Sequence, residues 1–421
     1  MNISTFRAFQ SRNYRLYFYG QSVSLVGTWM QRTAVSWVIY TLTHSTFMLG
    51  LTYFASQFPS FLLSLFGGVV SDRYNRFKVL LITQIASMVQ ATLLALLVLF
   101  KNATVWEILS LSVVLGIINA FDVPARQSLI YEMVNNKEDL PNALALNSSM
   151  VNLARLIGPA IAGITLQKLG DGACFLLNAA SFLAVIVSLL FMRLPRYIVK
   201  AHTKNIMVEL REGFSYLKST PSIGSVILML ALVSFLVLPF NTLLPVYAKV
   251  VFHGNASTFG YINSFIGLGS VTGAFFLASL SPGSNLKRIL MINTLIMGVG
   301  LMLFSHSNHF FISMFFASLI GFGMMSQTTI SNTIIQTTAA EHMRGRVISY
   351  FAMAFFGMQP LGSLLIGFVS QYIGSPLTIL LEGVSAILIA FLFRNSLRSE
   401  RLKKKDKSII KKLEDQSIQL H

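Results

Sequence analysis

Charge is scarce in this chain of 421 residues. Asp, Glu, Lys and Arg together make up 11% of it, where a soluble domain carries about 25%. That deficit excludes a soluble protein of two or three domains, which would need far more charged surface. Cysteine is nearly absent: Cys174 alone rules out an internal disulfide framework, and no Cys/His group has metal-ligand spacing. Acids are fewer than bases, 15 against 32, for a formal net charge of +17. Such an excess would point to nucleic acid only if the cations shared one face, and here they lie between apolar runs. No Gly-Lys-Ser/Thr triplet occurs, which excludes a phosphate-loop ATP pump. A membrane-embedded enzyme would need His/Asp/Glu or Ser/His clusters at one face, and the few acids and shallow histidines do not provide one, so no enzyme is expected.

What the chain has is apolar length. Apolar residues make up 54% of it, and crossing roughly 30 Å of hydrocarbon takes about 20 of them in a helix. Twelve segments qualify. Six lie in the first half, at Leu16–Tyr40, Met48–Val70, Phe77–Phe100, Val105–Val123, Ala145–Leu166 and Gly172–Met192. Six follow at Ile223–Tyr247, Gly260–Leu280, Ile289–Ser305, Phe310–Ile334, Val347–Val369 and Pro376–Phe393. The start is not expected to be a cleavable signal, because apolar sequence from Leu16 runs too long. With both termini in the cytoplasm, 27 of the 32 cations fall on inner segments and only Lys101, Lys168 and Lys249 on outer loops. This is the bias of the positive-inside rule, and it marks a bacterial inner-membrane protein with an even number of spans.

The spans divide six and six. Residues 1–15 form an interfacial N-terminus, 16–194 a first six-helix bundle, 195–220 a cytoplasmic linker, 221–393 a second bundle and 394–421 a basic tail suited to anionic lipid. An internal repeat supports the division: Gly163-x6-Gly170 with Gln167 recurs 204 residues later as Gly367-x6-Gly374 with Gln371. Duplicated halves with a substrate path between them are a recurring transporter plan.

Two motifs sharpen this. After the second span come Gly68, Asp72, Arg73, Asn75, Arg76, Phe77 and Lys78, a helix-packing glycine followed by an acid and cations at the membrane edge. The run resembles the G-x-x-x-D-R-x-G-R-[RK] signature of the major facilitator superfamily. It departs where Asn75 replaces glycine and Phe77 replaces a cation, and Asn tolerates the left-handed backbone expected there. In the fifth span, Arg155 precedes Gly158, Pro159 and Gly163, which resembles the G-P-x-x-x-G motif associated with exporters of that superfamily. Ala154, Gly158 and Ala162 form a smooth stripe for close helix contact. Further runs, Gly27-Thr28-Trp29-Met30-Gln31-Arg32 and Asp122-x-Pro124-Ala125-Arg126 among them, extend the resemblance over nearly the whole chain. They are similar to the branch that includes the enterobactin exporter and macrolide-efflux-type proteins.

The resemblance implies an all-α membrane protein, twelve helices in two pseudo-symmetric bundles, and secondary active export by alternating access. It further implies protons as the coupling ion, a small-molecule cargo, no cofactor and a monomer. Direction is not written in such a fold, so an uptake symporter or facilitator is the alternative, with a lipid scramblase a more distant one. In the family an acid at the inner end of the fourth span joins the loop cations in a gate network. That pairs Asp122 with Arg76 and Arg126.

Inside the membrane an arginine costs about 2.5–3.5 kcal/mol and should face protein or water. Arg32, beside Gln31, and Arg155 are the two such cations. Glu382 is the only carboxylate well inside a span, and a buried carboxylate is a candidate proton carrier. Candidate coupling or substrate residues are therefore Gln31, Arg32, Asn119, Asn241, Gln327, Gln359 and Glu382, with Gln57, Asn147, Asn152, Asn263 and Asn332 as further polar groups. A mainly neutral cavity with one or two cations favours amphipathic neutral or anionic cargo, its walls including adaptable aromatic and methionine side chains.

Overall fold

A computed structural model describes residues 3–100, 103–194, 206–281 and 283–394, without the side chains of residues 3–5, 72 and 206–210. The Asp72 side chain and the tail beyond residue 394 lie outside the described residues. Helix dominates. A 3-10 stretch at Ile3–Gln10 leads into α1 (Arg12–Thr43), α2 (Thr46–Arg73), α3 (Arg76–Leu99), α4 (Val105–Met133), α5 (Leu140–Leu169) and α6 (Asp171–Leu190). After α7 (Ile206–Ser219) come α8 (Pro221–Leu236), α9 (Ala256–Ala278), α10 (Leu286–His306) and α11 (Phe310–Thr338). The remaining helices are α12 (Arg344–Ala352), α13 (Met358–Ile373) and α14 (Ser375–Arg394). No strand occurs among the described residues.

Local chemistry sets the helix starts. Ser45 accepts from the Met48 amide, Thr104 and Glu107 form a reciprocal capping box, and Asn255 accepts from the Ser257 and Thr258 amides. Each satisfies amides that the first helical turn leaves without a partner. Asn75 does the same for α3, accepting from the Lys78 amide at 3.2 Å with φ −62°. This corrects the expected left-handed turn: the residue is a helix cap, a role asparagine fills better than glycine.

Prolines explain the irregular helices. Beyond α8, Pro239 and Pro245 each remove a backbone donor and crowd the preceding turn. The chain there passes through a 3-10 stretch (Leu238–Leu243) and a π turn (Tyr247–Val251). A second π turn, Met353–Gly357, joins α12 to α13 one turn before Pro360, where the ring would strike a carbonyl of a regular helix. Pro124 lies inside α4, which runs to Met133, ten residues past the expected end.

Eleven stretches are long and apolar enough to cross a membrane. Twelve are expected from sequence, and the difference is α1, whose 32 residues carry Arg12, Arg15, Arg32, Gln21 and Gln31. Helices α1–α6 pack among themselves (α2 on α4, α1 on α6 and α5, α3 on α6), and α8–α14 form a second group led by α9–α11 and α10–α11. Within 195–220, α7 docks on α12: Arg346 Nη2 lies 2.7 Å from Glu212 Oε2, and Tyr216 Oη accepts from the Ala340 amide. Gly170 and Gly374 both take positive φ, 84° and 82°, at the α5–α6 and α13–α14 corners. The glycine pattern thus marks one left-handed corner used twice, a conformation glycine adopts without the Cβ penalty.

Candidate functional site between the two helix groups

The groups meet along two glycine crossings. Gly50 of α2 lies so near α13 that an added β-carbon would stand 2.3 Å from the Ser363 carbonyl oxygen. One on Gly367 would stand 3.0 Å from the Gly50 Cα. At the other crossing, a β-carbon on Gly163 of α5 would lie 2.7 Å from the Ala256 oxygen and 3.2 Å from the Gly260 Cα of α9. Each crossing carries one hydroxyl-to-carbonyl bond: Thr46 Oγ1 donates to Gly367 O (2.9 Å) and Ser257 Oγ to Gly163 O (3.1 Å). Ser257 Oγ is also hydrogen-bonded to Gln167 Oε1. The repeat glycines of the sequence, Gly163 and Gly367, therefore occupy equivalent places in the two crossings.

Toward the middle of the helices, Ser264 Oγ donates to Leu156 O at 2.9 Å, and the Phe61 ring fills the space beside Gly357. Farther on, a β-carbon on Gly68 would meet nothing within 4 Å, and Leu62, Leu65 and Phe66 are exposed. Close helix contact in this loop belongs to Gly67, whose β-carbon would stand 1.9 Å from the Ala120 oxygen. That corrects the packing role expected of Gly68. Among the described residues, these close contacts between the groups run from the Thr46 and Ala256 ends of α2 and α9 to about mid-helix.

At the depth where the contacts end sit the two intramembrane arginines. The Arg32 Cζ lies 5.1 Å from the centre of the Trp29 ring, and the Arg155 Cζ lies 5.1 Å from the same centre. Cation–π contact of this kind contributes about 0.5–2 kcal/mol, the more as water is excluded. Arg32 is solvent-accessible. Arg155 is half-buried, and its Nε has no hydrogen-bond partner. Tyr53 of α2 stands within electrostatic reach of both cations. Gly158 makes the arrangement possible, since a β-carbon there would fall 2.5 Å from the Trp29 Cβ and 3.1 Å from the Val26 oxygen. Pro159 is buried one residue on, with its carbonyl oxygen against Gly260.

The loop acids and cations are arranged differently from the expected network. Asp122 is buried; its Oδ1 accepts from Thr83 Oγ1 (2.9 Å) and Gln84 Nε2 (2.6 Å), and its Oδ2 pairs with Arg126 Nη2. The i,i+4 spacing puts Asp122 and Arg126 on one face of α4. Arg76 reaches Glu132 instead, with Nη1 2.7 Å from Oε1, and its Nε donates to Ser71 O. The expected Asp122–Arg76 contact is thus replaced by a contact nearly three turns farther along α4. Arg73 and Lys78 are exposed.

Several polar candidates turn inward. Gln31 is buried within the first group, donating to Gln90 Oε1 (3.0 Å) and accepting from Asn178 Nδ2 (2.7 Å). Gln327 is buried in the second, accepting from Thr294 Oγ1 at 2.6 Å. Neither faces the space between the groups, a correction to the substrate role proposed for them from sequence. Glu382 is 1% exposed with neither carboxylate oxygen hydrogen-bonded. It lies beside Gly383, which packs against Gly298 and Met302 of α10, away from the crossings. Asn119, Asn241 and Gln359 are half-buried, and Asn241 donates to Leu238 O within its own segment. Trp29 is visible in the sequence only as part of the Gly27–Arg32 run; the α1–α5 crossing brings it to Arg155.

Comparison with known proteins agrees with this architecture. Residues 3–421 match the family described as transmembrane secretion effector. The staphyloferrin A transporter of Staphylococcus aureus is 27% identical over 391 residues, covering 92% of this chain and 97% of that one. Macrolide efflux protein A of Streptococcus pyogenes is 22% identical, covering 90% and 96%. The enterobactin exporter EntS of Salmonella typhi is 24% identical, covering 90% and 91%. Among solved structures, a mutant of the nucleoside transporter NupG superposes with a TM-score of 0.73 at 15% identity, covering 91% and 98%. A bacterial homologue of the lysosomal transporter Spinster, inward-facing and unoccupied, superposes with 0.71 at 14% identity, covering 92% and 97%. The chain belongs to the transmembrane secretion effector family of the major facilitator superfamily, and it is a multi-pass membrane transporter of small molecules rather than an enzyme.

Proposed function

We propose that this protein is a proton-coupled exporter of an amphipathic small molecule, working as a monomer by alternating access between two six-helix bundles that flank residues 195–220. The observation that carries the proposal is the one-sided closure. The groups touch at two glycine crossings at one end and to mid-helix, while two cations stand at the depth where contact ceases. The distribution of cations along the chain puts the termini in the cytoplasm. The crossings then seal the outer face, and the unsealed side at Arg32 takes up cargo from the inner leaflet or cytosol, as an exporter requires. The efflux and siderophore-transport names of the relatives support the same direction. Opposite opening would break the crossings and bring the α2–α3 loop, with Gly68, Asp72, Arg73, Arg76 and Lys78, against the second bundle. Asp122 and Arg126 form the rigid post behind that loop. Proton entry would drive the cycle through an intramembrane acid, Asp122 or Glu382.

The test is transport into inside-out vesicles from an efflux-deficient bacterial host, run against a panel of amphipathic compounds. Accumulation that depends on an inwardly acidified lumen and stops on adding an uncoupler is expected. Uptake into right-side-out vesicles driven by an acidified exterior would reverse the direction and make the protein an importer.

A further inference from the structure

We propose that Arg32 and Arg155, held on the Trp29 ring, are the binding site for a carboxylate on the cargo, so that the transported compounds are amphipathic organic acids. The inference rests on the transporter assignment and narrows its substrate class.

The argument begins with charge balance. Among the described residues neither arginine has a carboxylate within ion-pairing distance, whereas Arg76, Arg126 and Arg346 each do. Both guanidiniums nevertheless lie at mid-helix depth, in α1 and α5. A shared indole face offsets part of their desolvation but supplies no negative charge. Each also lies within electrostatic reach of the other, so the empty arrangement contains an unrelieved repulsion. An anion placed between them would remove it.

The geometry suits a small planar anion. Both guanidinium carbons are 5.1 Å from one ring centre, which puts them no more than twice that distance apart. Planar guanidinium forks match the two oxygens of a carboxylate, and such charge-assisted bonds are strong where water is scarce. Arg155 Nε is an unused buried donor, and Arg32 is solvent-accessible. The Tyr53 hydroxyl adds a neutral donor. On α2, Phe54, next to Tyr53 in the chain, stacks on Phe58 at 4.5 Å. That combination fits an acid with an apolar body.

Trp29 makes the site self-reporting. The chain has three tryptophans, and replacing Trp37 and Trp106 by Phe leaves Trp29 as the only indole. Dansyl-leucine and its methyl ester, alike except for the charge, are titrated into the purified full chain in uncharged detergent. Energy transfer from Trp29 to the dansyl group is read. The acid is expected to bind at least about tenfold more tightly than the ester. Arg32→Gln and Arg155→Gln should each erase that preference while leaving ester binding in place, which shows that the variants are folded. The double variant should lose little more than either single one, because both cations grip one anion. Equal binding of acid and ester by the unmodified pair would overturn the proposal. So would displacement of dansyl-leucine by short-chain phosphatidylglycerol at lower concentration than by unlabelled N-acyl leucine, since that assigns the cations to lipid. Binding in detergent does not depend on direction or coupling. Acid-selective binding without export would leave this site standing and refute the exporter assignment, and export undiminished in both arginine variants would do the reverse.

Discussion

Neighbouring residues on α1 face opposite environments. Gln31 is locked into a buried amide network with Gln90 and Asn178, while Arg32 is solvent-accessible. A helix turns 100° per residue, so a polar pair read along the chain separates into a structural member and an accessible one. That is why Gln31 and Arg32 could not be told apart in sequence, and why Trp29, three residues before Arg32, was visible only as part of the Gly27–Arg32 run. Gly158 is the residue on which this part of the molecule depends most directly. An alanine there would push its β-carbon against the Trp29 Cβ and the Val26 carbonyl, neither of them the far end of a flexible chain. Gly158→Ala is expected to cost about 1–3 kcal/mol through overpacking. It should also shift the Trp29 emission maximum in the single-tryptophan background. Thermal unfolding in detergent with fluorescence detection measures both, and an unchanged spectrum would mean that α1 and α5 do not cross there.

The helices themselves were largely legible, because long apolar runs bounded by Ser, Thr and Asn caps announce membrane helices strongly. Boundaries were less so. The apolar run predicts an end at Val123, yet α4 continues through Pro124 to Met133, because a membrane helix with packed neighbours can lose one backbone bond and persist. The repeat of Gly163 and Gly367 was visible, but not that each meets a second glycine across the interface, since Gly50 and Gly260 lie far away in sequence. The crossings they make can be tested as elements. A valine at Gly260 would force α9 away from the Pro159 carbonyl, 2.5 Å from the added β-carbon. Overpacking of about 2 kcal/mol changes the population of the sealed form by more than about tenfold. With Ser363→Cys as reporter, a membrane-impermeant maleimide is expected to label the Gly260→Val protein at least about tenfold faster. Cys174, the single native cysteine, is fully buried and should stay silent. Equal labelling rates would mean that the crossings do not hold the groups together.

At the scale of the whole molecule, the two ends are built from different forces. Where the groups touch, contact is largely backbone against backbone, with three hydroxyl-to-carbonyl bonds and no ion pair among the described residues. Lys249, 6.0 Å from the ring centres of Trp37 and Tyr40, is the charge close by. At the opposite end stand Arg76–Glu132, Asp122–Arg126 and Arg346–Glu212. Mobile ions weaken partly exposed pairs within a Debye length of about 8 Å at physiological salt, and they leave dispersion and neutral hydrogen bonds almost untouched. The transport cycle should therefore have one ionic-strength-sensitive half and one insensitive half. Raising salt from 0.05 to about 0.5 M on the loop side is expected to alter the rate at which the loop end closes and opens. The rate at which the glycine seam parts should stay constant, as stopped-flow distance measurements across each end would record. A molecule assembled from two copies of one plan has in this way acquired a polarity in how it answers its surroundings: dry and indifferent on one side, and responsive to the medium on the other.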